Sequence, residues 1–301
     1  MRIICAVDGS EWSFWGVQTL EALAERQPEH VTLLHVIDRA SLRTATSKTS
    51  SIDKRALAAM EKAGQVILRE AERSAKVALG QAALSPKTTF SRILAYGAIA
   101  PTIVEQARRR KADLILIGSR GLSDIKGFLL GSTSRRVAAL APCSVLVVKK
   151  ALPTLRRVTL AIDDSRASRV AAQFLRSHIL PDSAAVTILS SAETPVSDLA
   201  ARYLSASQIA ALTQPVIDRT TRLVNSFRDD FIAEGRTATT KVEVNHVIDT
   251  IVKHVEAERA DLLVVGSRRL TKSERFHLGS VSESLLRHAP GSVLIVRGAR
   301  A

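Results

Sequence analysis

Residues 112–121 read ADLILIGSRG, and residues 260–269 read ADLLVVGSRR, the same strand-like run and loop 148 positions later. The offset persists downstream. Leu130-Gly131-Ser132 recurs as Leu278-Gly279-Ser280, Ala141-Pro142 as Ala289-Pro290, and Ser144-Val145-Leu146 as Ser292-Val293-Leu294. Upstream, Ala6-Val7-Asp8 resembles Ala161-Ile162-Asp163 at an offset of 155, so a net length difference of seven lies between. One repeat of this size in 301 residues signals two homologous domains rather than a solenoid. The join falls near Leu152-Pro153-Thr154, which sets domains at 1–150 and 154–301.

Each half alternates short apolar runs with longer amphipathic segments. The runs at 2–7, 31–36, 89–95, 113–117 and 144–148 are rich in Val, Ile and Leu without polar alternation, as strands covered on both faces are. Helical spacing fills roughly 12–26, 52–80, 99–110 and 132–140. The second half gives strands near 157–162, 185–190, 241–244, 261–265 and 292–296, and a helical segment over 196–235 broken at Pro215. Strand–helix alternation implies parallel strands with right-handed crossovers. The expected fold class is α/β: two tandem open five-stranded parallel-sheet domains with helices on both faces. The Ser/Thr-rich stretch 39–51 reads as a mobile loop near the strand ends.

Composition narrows the function classes. No apolar run reaches the length of a membrane span. Asp8 comes too early to leave room for a secretory leader, and the start reads as a buried strand of the mature protein. Cys5 and Cys143 sit in strand-like runs and read as buried, reduced thiols; with no disulfide framework, the expected location is the cytoplasm. The net charge of +14 is concentrated in residues 1–150, which carry +10. The one dense basic run, Arg108 to Lys111, ends a helix, where cations complement the dipole; nucleic acid is not the expected partner. Aromatics are only 4% of residues, too few for stacking on single strands.

The chemistry concentrates after the fourth strand. Gly118-Ser119-Arg120-Gly121 is followed by nine residues and then Gly131-Ser132-Thr133, the pattern G-x2-G-x9-G-[ST]. Open parallel sheets bind ligands outside the carboxyl ends of their strands, where the strand order reverses. Glycines there allow close approach and positive φ, backbone amides form an anion nest, and the following helix start adds unpaired donors. Ser132 and Thr133 offer hydroxyls, to phosphates or to magnesium, and Arg120 and Lys126 offer charge. Neither a Walker A loop nor a dinucleotide fingerprint occurs.

With these motifs in view, the sequence resembles the universal stress protein family. The resemblance rests on Ile4-Cys5-Ala6-Val7-Asp8-Gly9-Ser10, on Leu34-His35-Val36, on the loop just described and on Pro142 to Val148. It covers the whole chain twice, and implies an adenine nucleotide hydrolase-like, Rossmann-like fold and an ATP-binding first domain. By resemblance, Ala6 and Asp8 contact the adenine or ribose, and Val36 lines the adenine slot. Gly118, Arg120 and Gly121 meet the ribose and α-phosphate, Gly131, Ser132 and Thr133 hold the outer phosphates, and Gly97 stands near the pocket wall. The cofactor implied is ATP, with Mg2+ held through its phosphates. Other roles stay open: Asp8 as a helix cap, Arg120 as a solvated charge, Val36 as core. The histidines form no ligand set, no catalytic residue is evident, and the adjacent Asp163 and Asp164 diverge.

The second half departs from the pattern. Gly266, Gly279 and Ser280 remain, but Arg269 replaces the second loop glycine, Asp164 replaces Gly9 and Asn245 replaces Gly97. Arg269 predicts weakened or lost nucleotide binding unless its side chain itself reaches a phosphate. By resemblance, the last strands of the two halves pair as a pseudo-dimer within the chain, and two chains form a homodimer. The leading function is a nucleotide-dependent stress-response module with an unknown protein partner. The alternatives are a slow ATPase or an enzyme that phosphorylates itself on Ser132, Thr133 or Ser134, and a scaffold for anionic partners.

Overall fold

The computed structural model describes residues 1–38, 50–81, 88–122, 130–267 and 278–298. The first half carries β1 (Arg2–Ala6), α1 (Glu11–Gln18), β2 (His30–Ile37), α2 (Ser50–Gln81), β3 (Thr89–Tyr96), α3 (Ile99–Arg109), β4 (Leu114–Gly118), α4 (Ser132–Leu140) and β5 (Ser144–Val148). The second half repeats the plan. It has β6 (Arg157–Ala161), α5 (Arg166–Phe174), β7 (Ala185–Ser191), α6 (Asp198–Ala201), α7 (Ala206–Ala233), β8 (Thr237–Glu243), α8 (Val247–Ala257), β9 (Leu262–Gly266), α9 (Ser280–His288) and β10 (Ser292–Val296).

The strand order is β3-β2-β1-β4-β5-β10-β9-β6-β7-β8. All pairs within each half are parallel, and the halves meet at an antiparallel seam with Leu146 opposite Leu294. The two expected five-stranded sheets are thus one ten-stranded sheet, joined through the last strands as the resemblance implied. Alternate residues feed two cores that each run across the seam. One holds Ile3, Cys5, Leu146 and Leu294; the other holds Ile4, Val145, Val293 and Ile295. Every residue of β5 and of β10 is buried, and each such Val or Leu contributes about 1.5–3 kcal/mol.

Four sequence expectations need correction. The helical segment over 12–26 is α1 followed by a 3-10 turn at Ala24–Arg26. The Thr19 hydroxyl donates to the Trp15 carbonyl at 2.8 Å, back-bonding of the kind that bends a helix end. Pro215 does not break its helix. Pro215 and Ala211, whose carbonyl the missing amide would have met, are both exposed, so that carbonyl is open to solvent. The interruption falls earlier, before Ser205, which caps α7 reciprocally with Gln208. The strand expected over 241–244 is Thr237–Glu243, because an edge strand is half solvated and uses β-branched Thr rather than an apolar run. Of the Ser/Thr-rich stretch, Ser50 and Ser51 belong to α2, and residues 39–49 lie outside the described residues.

Candidate functional site

The site lies where the strand order reverses, between the carboxyl ends of β1 and β4. After β1, the Val7 amide donates to the Leu34 carbonyl at 2.9 Å and the chain turns off the sheet. Gly9, at φ +91°, makes that turn. One Asp8 oxygen accepts from the Ser10 amide at 2.9 Å and the Ser10 hydroxyl at 2.6 Å. Ser10 in turn takes the Ser13 amide at 3.2 Å and caps α1. The other Asp8 oxygen accepts from the Leu122 amide at 3.2 Å, beyond β4. Asp8 therefore buttresses the capping residue and also ties the loop after β4 to the end of β1.

The loop glycines act differently from the sequence reading. Neither Gly118 nor Gly121 has positive φ, and Gly131 sits at φ −72°. A Cβ on Gly118 would stand 2.7 Å from the Trp12 carbonyl, so this glycine lets the start of α1 press onto β4. Gly266 does the same in the second half, where the Ala167 carbonyl would be 2.5 Å away. At Gly121, a Cβ would meet the Asp8 carboxylate at 2.6 Å. Gly131 is the N-cap of α4 and has no side chain to take the first amides of that helix. Its own amide donates to the Ser119 carbonyl at 2.7 Å, and the buried Ser134 hydroxyl donates to the same carbonyl at 3.0 Å. These bonds anchor the start of α4 to the end of β4.

The resulting cavity measures about 110 Å3. Ala6, Asp8, Val36, Gly118, Arg120, Gly121, Gly131, Ser132 and Thr133 all line it. Gly97 stands outside the lining. At φ +139°, with its amide on the Ile37 carbonyl at 3.1 Å, it turns the chain into α3. That turn brings Ile99 and Ile103 to the cavity wall; sequence reading missed both, although their i, i+4 spacing marks one helix face. The cavity is two-ended. Leu34, Val36, Ile99, Ile103 and Ile117 form an apolar slot, and Arg120, Gly131, Ser132 and Thr133 form a polar end. The Arg120 guanidinium lies 5.7 Å from the centre of the Trp12 ring, within cation–π range. Lys126 lies outside the described residues.

Comparison with known proteins follows the same division. The model of the universal stress protein family matches residues 1–149 and again residues 154–297. The chain belongs to the universal stress protein family. Universal stress protein YxiE of Bacillus subtilis is 30% identical over 155 residues, covering 49% of this chain and 98% of that protein. A universal stress protein of Thermus aquaticus is 39% identical over 85 residues, covering 28% of this chain and 62% of its own. A universal stress protein from Archaeoglobus fulgidus shares the fold over the whole length, with TM-score 0.68, 20% identity and 98% of both chains covered. The chain thus carries two universal stress protein domains in tandem.

The second half keeps a cavity at the equivalent place, and a larger one, of about 380 Å3. Asp163 repeats the Asp8 bonds to the capping serine, accepting from the Ser165 amide at 3.2 Å and the Ser165 hydroxyl, and it takes the Ser168 hydroxyl at 2.7 Å as well. Asp164 turns away to Arg169 and Arg219, at 3.2 and 2.9 Å, so the two carboxylates diverge as expected. Among the described residues the lining differs. Val281 stands where Thr133 stood, and Leu278 and Leu285 enter the wall. Arg269 lies outside the described residues. The basic run at the end of α3 is a helix terminus, with Arg108 and Arg109 both paired to Glu105. No helix among the described residues is long and apolar enough to cross a membrane.

Proposed function

We propose that the first half binds an adenine nucleotide, ATP with Mg2+ held through its phosphates, and that the protein acts as a nucleotide-dependent stress-response module. The observation that carries this reading is the two-ended cavity, with its apolar slot beside the start of α4. The base takes the slot between Val36, Ile99 and Ile103. The phosphates run toward Arg120 and the first turn of α4, where backbone donors and the dipole favour anions. Ser132 and Thr133 add hydroxyls there. Asp8 is the one carboxylate among the described lining residues, and its oxygens already accept from Ser10 and Leu122. The residues thus fit a magnesium ion carried by the nucleotide rather than one held by a protein carboxylate. Among the described lining residues Asp8 is engaged by Ser10 and Leu122, which supports binding over turnover. A cytoplasmic setting, a dimer of chains and a protein partner that reads the nucleotide state belong to the same reading.

The test is calorimetric titration of the full chain with ATP, ADP, AMP and cyclic AMP, with and without magnesium. One ATP per chain is expected, with Thr133→Val, the residue the second half carries, weakening the triphosphate more than AMP. Absence of binding at millimolar ATP would overturn the reading.

A further inference from the structure

The seam between the halves does more than close the sheet. Residues 148 apart reach across the seam in opposite directions, with equivalent backbone contacts and similar side-chain ones. The Lys149 amide donates to the Ser292 hydroxyl at 3.1 Å, and the Arg297 amide donates to the Ser144 hydroxyl at 3.3 Å. The Lys149 ammonium donates to the Ala289 carbonyl at 2.6 Å, and the Arg297 guanidinium donates to the carbonyls of Ala138 and Ala139, both at 2.7 Å. Ala138 and Ala139 lie in the last turn of α4, and Ala289 is the C-cap of α9. The antiparallel register explains the exchange. It sets Ile295 against Val145, so the chain leaving β10 arrives where α4 ends and β5 begins.

The last carbonyls of a helix have no partner within it. Two of these residues are buried against the other half, Ala138 at 0% and Ala289 at 3% exposed, and Ala139 is half-buried. A cation at this end also complements the helix dipole. The opposite end of each helix opens a cavity: α4 begins at Ser132 and α9 at Ser280. Each helix is nine residues long, about 13 Å, so fixing one end fixes the other. Arg135 of α4 faces Glu283 of α9 at 3.8 Å, again 148 positions apart, so the two helices touch directly.

We propose that each half supplies the cation that holds the other half's cavity helix, Arg297 for α4 and Lys149 for α9, so that the first half's ligand site is complete only in the joined pair. Arg297 is a positioning residue; it acts through α4 on Ser132 and Thr133. The proposal rests on the nucleotide reading for its ligand, but not for its structural arm.

The experiment uses the full chain with Arg297→Met, Arg297→Lys and Lys149→Met, read by ATP titration and by amide hydrogen exchange over residues 135–140. Arg297→Met should weaken ATP binding by about three- to tenfold, the size of a helix-terminus charge effect, and speed exchange in α4. Arg297→Lys should restore both, since lysine already does this work at position 149. Lys149→Met, cut into the same seam, should leave ATP affinity and α4 exchange as in the parent chain and speed exchange in α9. Equal effects of Arg297→Met and Lys149→Met on α4, or none from Arg297→Met, would overturn the proposal. If the parent chain binds no ATP, the nucleotide reading falls, and the exchange data still decide this one.

Discussion

The Asp8 carboxylate joins the end of β1 to the loop after β4 by accepting the Leu122 amide at 3.2 Å. Its second oxygen holds the Ser10 hydroxyl at 2.6 Å. Asp8 is therefore not itself the cap of α1: it braces Ser10, which is, while its carboxylate lines the cavity. Whatever the site binds, Asp8 organises the loop that shapes it.

Replacing Asp8 by Ala should cost about 1–3 kcal/mol, the range for losing a charged acceptor with its donors left behind. Urea denaturation measures this, and ATP titration should show binding lost as well. Asp8→Asn keeps one acceptor oxygen and should lose less of both. Full stability in the Ala variant would mean that the bonds to Ser10 and Leu122 carry no load.

The glycines separate into two classes. In Gly118→Ala the new methyl meets backbone at 2.7 Å, which cannot swing aside, so overpacking of about 1–3 kcal/mol is expected. Gly279, the counterpart of Gly131 in the second half, has an ordinary φ of −59°, which alanine adopts freely, and open space where a methyl would stand. Gly279→Ala should therefore hold its melting temperature to within a few degrees. Equal melting temperatures for the two variants would contradict the packing of Trp12 on β4.

Burial lowers the Lys149 pKa to about 8, because desolvation penalises the ammonium and its one close partner is a neutral carbonyl. In the unfolded chain the group keeps its proton until near 10.4. Between those values the unfolded state binds more protons, so this residue makes stability rise with pH from about 8 upward. The contribution is about 2 kcal/mol once solvent access is allowed for. The two buried thiols work in the opposite direction above pH 9, so the measurement is the difference between the parent chain and Lys149→Met. Parallel stability curves for the two from pH 7 to 10 would show that Lys149 does not titrate early.

Cys5 and Cys143 are free and buried, and desolvation raises both thiols, Cys143 to about 12. The thiolate is the reactive form. Native protein at pH 8 should therefore resist iodoacetamide for hours and take up two equivalents once unfolded. Rapid labelling of the native chain would place either thiol at the surface.

Much of the site was legible before any coordinates. ADLILIGSRG and ADLLVVGSRR carry the duplication, and the strand-end motifs of the first half point to nine of the residues that line the first cavity. Ile99 and Ile103 were missed because an apolar residue on an amphipathic helix reads as core wherever it faces. Gly118 carries a packing role that the sequence does not show, since a short strand-end loop does not reveal which neighbour crowds the glycine. Pro215 and the edge strand β8 were misread because each depends on solvent exposure, which the local pattern does not encode.

The sequence by itself determined the duplicated α/β plan, the parallel strands and the cavity end of the first half. Periodicity and glycine spacing are local, and they act over a few residues wherever the chain goes. The tertiary structure decided which residues serve which half. Arg297 stands 158 positions from Ala139, and only the antiparallel seam of β5 and β10 brings its guanidinium to 2.7 Å from that carbonyl. That placement follows from register and strand direction, which sequence spacing alone does not contain.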